Sequence, residues 1–353
     1  MKYGMFSFGS ARILAALYCS CSLLASLLML AQPAAADDDA HKPIDGLKSE
    51  FRRPPEIPFP KDDPFRPEAA LLGRTLFFDA RLSGSGSLSC ASCHNPSYGW
   101  EDGLRISHGD GMKDLIRHTP TILNTAWGRS FFWDGRAPTL EEQAKGPLFS
   151  TKEMNQNMDL LPGKLAAVAG YKPMFDRAFP GQGITISTIV RAIAMFERTV
   201  ASARTPFDDW IDGDENAISA SAKNGFALFT GKANCASCHS GWTFSDEQYH
   251  DIGLPGSDKG RADIAPAEDY ALYAFKTPTL RDVARRAPYM HDGSLKDLNA
   301  VLAHYRRGFI QRKTLSPLLR PIDITDDEAR DIIAFLNSLS EPPRSFPAPT
   351  LPQ

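Results

Sequence analysis

Cysteine is scarce in this chain, and none is left over. Six occur in 353 residues. Four fall in a pentapeptide that occurs twice, Cys90-Ala91-Ser92-Cys93-His94 and Cys235-Ala236-Ser237-Cys238-His239; Cys19 and Cys21 sit near the N-terminus. With every cysteine of the body committed to a motif, no disulfide is expected. Long acidic or basic runs are also missing, which argues against nucleic acid or an anionic membrane as the main partner. Composition is otherwise that of a soluble globular protein, and the length suggests about two domains.

The pentapeptide is C-x-x-C-H, the attachment signature of a c-type haem. Its two thiols are spaced for thioether bonds, and the imidazole that follows becomes the proximal iron ligand. The competing reading is two C-x-x-C pairs sharing one zinc, but a structural zinc site does not need a His after each pair. Two covalent haems are therefore expected, held by Cys90, Cys93 and His94 and by Cys235, Cys238 and His239.

Residues 1–36 read as a secretory signal peptide. Lys2 and Arg12 lie at the charged end, Ile13 to Ala31 is almost wholly apolar, and Ala34-Ala35-Ala36 offers a small-residue cleavage site. No lipobox surrounds Cys19 or Cys21. Cleavage removes two positive charges and no negative one, moving the formal charge from −3 to −5 (−3 − 2). Export suits haem attachment, which takes place outside the bacterial cytoplasmic membrane. The expectation is a periplasmic protein of a Gram-negative bacterium, with no stable membrane insertion after cleavage.

The rest reads as a mostly α chain of two cytochrome c-like domains related by internal duplication. A Pro-rich, extended arm covers 37–67, a first haem domain 68–204, and a second haem domain with a C-terminal tail 205–353. Gly73-Arg74-Thr75-Leu76-Phe77 precedes the first motif as Gly225-Phe226-Ala227-Leu228-Phe229 precedes the second. Thr119-Pro120-Thr121 answers Thr277-Pro278-Thr279, and 15 residues on Asp134-Gly135 answers Asp292-Gly293. The spacing from haem His to Thr-Pro-Thr is 25 residues in the first half and 38 in the second, so an inserted loop is expected within Tyr249 to Tyr273. Each half should close on an amphipathic helix, one lined by Ile189, Ile193 and Phe196. The other opens on a Thr325-x-x-Glu328 capping box and buries Ile332, Ile333 and Leu336. Thr205 to Ser219, rich in Pro, Asp and Gly, reads as the linker.

The duplication also addresses the far side of each iron. Thirteen residues after the shared Asp-Gly stand Pro147 in the first half and Tyr305 in the second. Proline has no ligating atom, whereas a tyrosine phenolate can ligate iron. The first haem is then open to a small molecule and the second closed. Tyr305 sits on an expected helix Leu298–Arg306, where the plain alternative is a core tyrosine; His304 and Met290 are other candidate ligands. Trp133, in a dense aromatic patch, is either core or an electron relay. Gln143 and Glu153 lie near Pro147, and a carboxylate there can move a proton between peroxide oxygens.

At these residues the chain resembles the bacterial dihaem cytochrome c peroxidases over nearly its whole mature length. The matching segments include Phe132-Trp133-Asp134-Gly135-Arg136, Leu140 to Pro147, Glu153-Met154 and Ala287-Pro288-Tyr289-Met290-His291-Asp292-Gly293. The resemblance implies a peroxidatic haem on His94, with Gln143, Pro147 and Glu153 as its distal residues, Trp133 as inter-haem tryptophan, and an electron-storing haem on His239. Ordinary members carry a Met where this chain has Tyr305; the tyrosine is similar to the MauG branch, which implies His/Tyr ligation by His239 and Tyr305. His108 resembles the loop histidine that caps the first haem of resting peroxidases. The resemblance also implies a calcium ion between the haems, held in the family by an Asn before Thr-Pro-Thr and by backbone carbonyls of a Thr-x-Pro. This chain has His118 and Arg286-Ala287-Pro288 there, and since imidazole is a poor calcium ligand, water would have to complete the site.

The implied activity uses hydrogen peroxide to form a high-valent two-iron oxidant that oxidises a periplasmic partner protein at tryptophan. The alternatives are a conventional peroxidase fed by a small electron-donor protein, such as a cytochrome or cupredoxin, and a non-enzymatic dihaem electron carrier.

Overall fold

The structure is a computed structural model, and it describes residues 44–266, 270–341 and 345–353. The signal peptide read at 1–36 lies outside the described residues. No described helix is long and apolar enough to cross a membrane.

The fold is mostly helical. The arm after residue 43 is not simply extended: it opens with helix α1 (Ile44–Glu50) and then runs irregularly to α2 (Pro67–Phe77). Its hydrophobic content explains its course, since Phe51 is fully buried against Phe226 and Phe244 of the second half. Further on, Phe59 packs on the first core and Asp63 pairs with Arg191. The short turn α3 (Cys90–Cys93) carries the first haem motif. Then come α4 (Leu140–Phe149), α5 (Leu161–Ala166), α6 (Tyr171–Ala178) and α7 (Ile186–Thr199).

Linker composition misleads between the halves. Thr205 caps a short helix α8 (Pro206–Ile211) through reciprocal bonds with Asp208, and Phe207 and Trp210 bury in the second core. The acidic and Pro residues that suggested a loop are the helix's cap and first turn. The second half continues with α9 (Ala220–Thr230), α10 (Leu298–Ala303) and α11 (Asp326–Ser338). The capping box at Thr325 and Glu328 is present, and Ile332 and Leu336 are buried while Ile333 is partly so.

Two cores result. One gathers residues between Ala69 and Val200, the other Phe51 and residues between Phe207 and Leu339. In each, a helix before the haem motif crosses the closing helix at close range: α2 packs on α7 and α9 on α11. A Cβ at Gly73 would collide with the Ala192 carbonyl of α7, and one at Gly225 with the Asp331 carbonyl of α11. The two glycines let backbones touch at the same point of each pair.

The extra segment of the second half leaves and returns through an antiparallel pair, β1 (Tyr249–His250) on β2 (Phe275–Lys276). It reaches the first half, where Asp258 pairs with Arg117 and Arg261 donates to the Asp134 carbonyl. The C-terminal tail also crosses over. Phe346 meets Trp100 and Phe78, and the Pro347 and Pro352 carbonyls accept from Arg74 and Arg81.

Candidate functional site: two cysteine-lined cavities

Each C-x-x-C-H motif lines its own cavity, about 500 Å³ in the first half and about 210 Å³ in the second. The two cysteine pairs therefore do not converge, which removes the shared-zinc reading. Burial pushes the thiols up, Cys93 to about 11 and Cys235 to about 12, away from the thiolate a zinc site needs.

The imidazoles are aimed in the same way in both halves. His94 Nδ1 donates to the Trp100 carbonyl at 3.1 Å, and His239 Nδ1 donates to the Phe244 carbonyl at 2.9 Å. A carbonyl accepts only, so the proton sits on Nδ1 and Nε2 keeps its lone pair. Burial lowers both pKa values, holding the rings neutral. Paired thiols and a neutral, oriented imidazole on the wall of an apolar cavity fit a covalently attached haem.

The walls opposite differ. In the first cavity α4 is capped by Thr139 and carries Gln143 and Pro147 on one face at i, i+4 spacing. Pro147 has no N–H to give the Gln143 carbonyl. After α4 the chain turns back, Met154 N bonding to the Pro147 carbonyl at 3.0 Å, and this brings Glu153 onto the same cavity. Burial raises the Glu153 carboxyl, opposed by Arg136.

In the second cavity α10 does not continue to Arg306 as a regular helix. It widens into a π turn, His304–Gly308, of the kind that often marks a functional position. Tyr305 lines this cavity with His239, and burial raises its phenol. His304 turns away, its Nε2 donating to the Ile252 carbonyl at 2.9 Å. Met290 remains on the wall.

Trp133 borders both cavities, with Nε1 donating to the His118 carbonyl at 2.8 Å and its own carbonyl accepting from Lys276 N. His108 is elsewhere: it is 39% exposed, bonds Asp114 at 2.9 Å, and does not line the first cavity. The calcium expectation also meets the wrong chemistry. The imidazole of His118 is taken on both nitrogens, by the Leu104 carbonyl and by Glu101 at 3.0 Å, so it has no lone pair for a metal. The guanidinium of Arg286, bonded to the same Glu101 at 2.9 Å, sets a positive charge beside the backbone carbonyls at 286 and 288 that the family would use. These residues do not fit calcium.

Two buried acids escaped the sequence reading. Glu101 joins the halves through Arg286; a contact across 185 residues leaves no local signal. Glu197, on α7, lines the first cavity with Oε2 unpartnered among the described residues. It stands just after Phe196, as Leu336 stands after Phe335 in α11, and that comparison of the halves would have found it.

The family model described as di-haem cytochrome c peroxidase matches residues 67–216, and the cytochrome c model matches 222–340. Methylamine utilization protein MauG of Methylorubrum extorquens is 51% identical over 90% of this chain and 91% of its own. Cytochrome-c peroxidase IdrP1 of Pseudomonas sp. strain SCT is 37% identical over 94% of both chains. The crystal structure of a MauG-like protein associated with microbial copper homeostasis superposes with a TM-score of 0.76, at 32% identity, covering 82% of this chain and 95% of that one. A non-enzymatic carrier is thereby excluded. The chain is a peroxide-dependent oxidoreductase with two covalent haem c groups, for which the two cavities are the fitting places, and it belongs to the dihaem cytochrome c peroxidase family.

Proposed function

We propose that this chain is a periplasmic enzyme of the MauG kind, which uses hydrogen peroxide to oxidise a partner protein, at tryptophan. One observation carries the reading: the first cavity is roomy and presents Gln143, Pro147 and Glu153, while the smaller second cavity presents Tyr305. The domains are 68–204 and 205–353, copies of one ancestral unit that have since diverged at their distal walls. The matched crossings at Gly73 and Gly225 support that descent.

When bound, the haems supply O–O bond cleavage and storage of oxidising equivalents. The residues do the rest. Pro147 offers no ligand, so a haem held by His94 would keep its other face open to peroxide. Gln143 orients peroxide through its side-chain amide. Glu153, its carboxyl raised by burial, takes the proton from the near peroxide oxygen and delivers it to the leaving one. Trp133 bridges the two cavities as the electron relay. Tyr305, on the same cavity as His239, would hold the second iron through its phenol oxygen, giving up to ligation a proton that burial alone would retain. A hard phenolate there would favour a higher iron valence than Met does. The partner is oxidised at the surface, by electron transfer through the protein.

The test is to add stoichiometric peroxide to the fully ferric protein and record near-infrared and Mössbauer spectra. Reaction without prior reduction, with a change in both iron signals, is expected. Reaction only after one iron has been reduced would instead make this a conventional peroxidase, the activity its IdrP1 relative is named for.

A further inference from the structure

Between the cavities lies a closed charge cluster. Glu101 Oε2 accepts from His118 Nε2 at 3.0 Å and Oε1 from Arg286 Nη1 at 2.9 Å. The three side chains are 5%, 3% and 5% exposed. His118 Nδ1 also meets an acceptor, the Leu104 carbonyl at 2.7 Å. An imidazole flanked by a carboxylate and a carbonyl carries a proton on each nitrogen, so His118 is a cation. Two cations thus share one carboxylate, and the three side chains together carry one positive charge, with Asp102 within electrostatic reach of His118 and Asp282 of Arg286.

The backbone is arranged to admit this. Arg286 Nη2 takes the Thr279 carbonyl as its second acceptor, as His118 Nδ1 takes that of Leu104, so two backbone oxygens beside the cluster are already filled by N–H donors. Gly99, at φ +64°, lies against the arginine stem; a Cβ there would come within 2.7 Å of Arg286 Cγ. Only glycine gives both the backbone and the room. The main chain of His118 is equally engaged: its N–H donates to the His291 carbonyl at 2.8 Å, and its carbonyl holds the Trp133 indole. Arg286 comes from the second half and Glu101 from the first, so the cluster is a tie as well as a charge.

We infer that Arg286, through Glu101 and His118, serves as a built-in cation between the two haem sites, making calcium unnecessary and fixing the peptide from which Trp133 is held. Arg286 is in this sense a positioning residue. The second half of the inference rests on Trp133 as the relay; the first does not.

The experiment reads the resting holoenzyme, without peroxide, so its failure is separable from that of the proposed function. The protein is dialysed against a calcium chelator, and its metal content, haem spectra, two iron potentials and melting temperature are compared with a sample in millimolar calcium. No stoichiometric calcium, and no change in any of the other readings, is expected. Stoichiometric calcium, or a chelator-induced shift, overturns the inference. Arg286→Gln should lower Tm by roughly 10 °C, the scale of breaking a buried ion pair, and shift the separation of the two iron potentials; Arg286→Lys should restore the separation. If Arg286→Gln folds and leaves that separation unchanged, the positioning role is wrong. If it does not fold, Glu101→Gln, which keeps Arg286 but removes the carboxylate through which it acts, is measured the same way: a shifted separation of the two potentials supports the positioning role, and an unchanged one overturns it.

Discussion

The two haem cavities are built alike on the proximal side and unlike on the distal side. Both hold a neutral histidine by its Nδ1 against a backbone carbonyl, and both rest on a pair of helices that touch through a glycine. Counting along α4 and α10, Gln143 meets Val301, Pro147 meets Tyr305, and on the closing helices Glu197 meets Leu336; all six line their cavities. The first set brings two polar side chains to its cavity, and the second is apolar apart from the phenol of Tyr305. Proximal geometry is what covalent attachment demands. The distal wall is where two similar folds can take different work.

Breaking the comparison at Tyr305 should have the largest effect. Tyr305→Phe keeps the ring in its cavity and removes the oxygen. Peroxide should then no longer change both iron signals of the ferric protein, in stopped-flow and Mössbauer spectra, while haem content stays the same. An unchanged two-iron response would show that the phenol is not what separates the halves.

Next comes the opposite wall. Glu153→Gln keeps size and hydrogen bonding but cannot carry the proton. The rate of reaction with peroxide should fall about 10²–10⁴-fold, the usual contribution of a positioned general acid–base. The spectrum of the His239 haem should be unaffected. Equal damage at both haems would mean that the substitution acts through folding.

Much of this site was legible because its chemistry imposes spacing. Thioether attachment needs C-x-x-C-H, so His94 and His239 could be read locally, whereas Pro147 emerged from counting across the two halves and Gln143 from its nearness to Pro147. The closing helix α7 was legible from periodicity, and α11 from periodicity and its capping box. Tertiary contacts were not. Phe207 and Trp210 looked like linker because a short capped helix shares its Pro and Asp with loops. His108 looked like a cap, but Asp114, six residues on, holds it at the surface. His304 and Met290 stood as alternatives to Tyr305 on spacing; the π turn sends His304 to the Ile252 carbonyl and Tyr305 to the cavity.

The crossed termini offer a third break. Phe346 rests on Trp100, whose carbonyl holds His94, so the tail of the second half supports the first haem. Removing residues 345–353 exposes those rings and should cost about 2–3 kcal/mol by area, seen as a Tm lower by several degrees. The His94 haem spectrum should shift and the His239 haem should not. A shift at the second haem alone would contradict the crossing.

The smallest effect concerns Glu197, where the second half has Leu336. Burial without a partner for Oε2 pushes this carboxyl up to about 8, with Glu141 adding to the rise and Arg198 opposing it. Its ordinary value is 4.5, so between 4.5 and 8 the folded protein binds a proton that the unfolded chain has released. Stability must therefore fall as pH rises through that window, and the loss is complete above it. Below the window the acid is neutral in both states and contributes no pH dependence. Glu197→Gln removes the ionisation and keeps the shape. Melting temperatures of the two proteins should nearly coincide at pH 4 and diverge upward, with the variant higher by a few degrees at pH 9, about 1–3 kcal/mol for relief of a buried unsatisfied group. Coincident curves across the whole range would mean that the carboxylate finds a partner in the haem-loaded cavity, and that the first wall is more fully paired than its protein atoms alone provide.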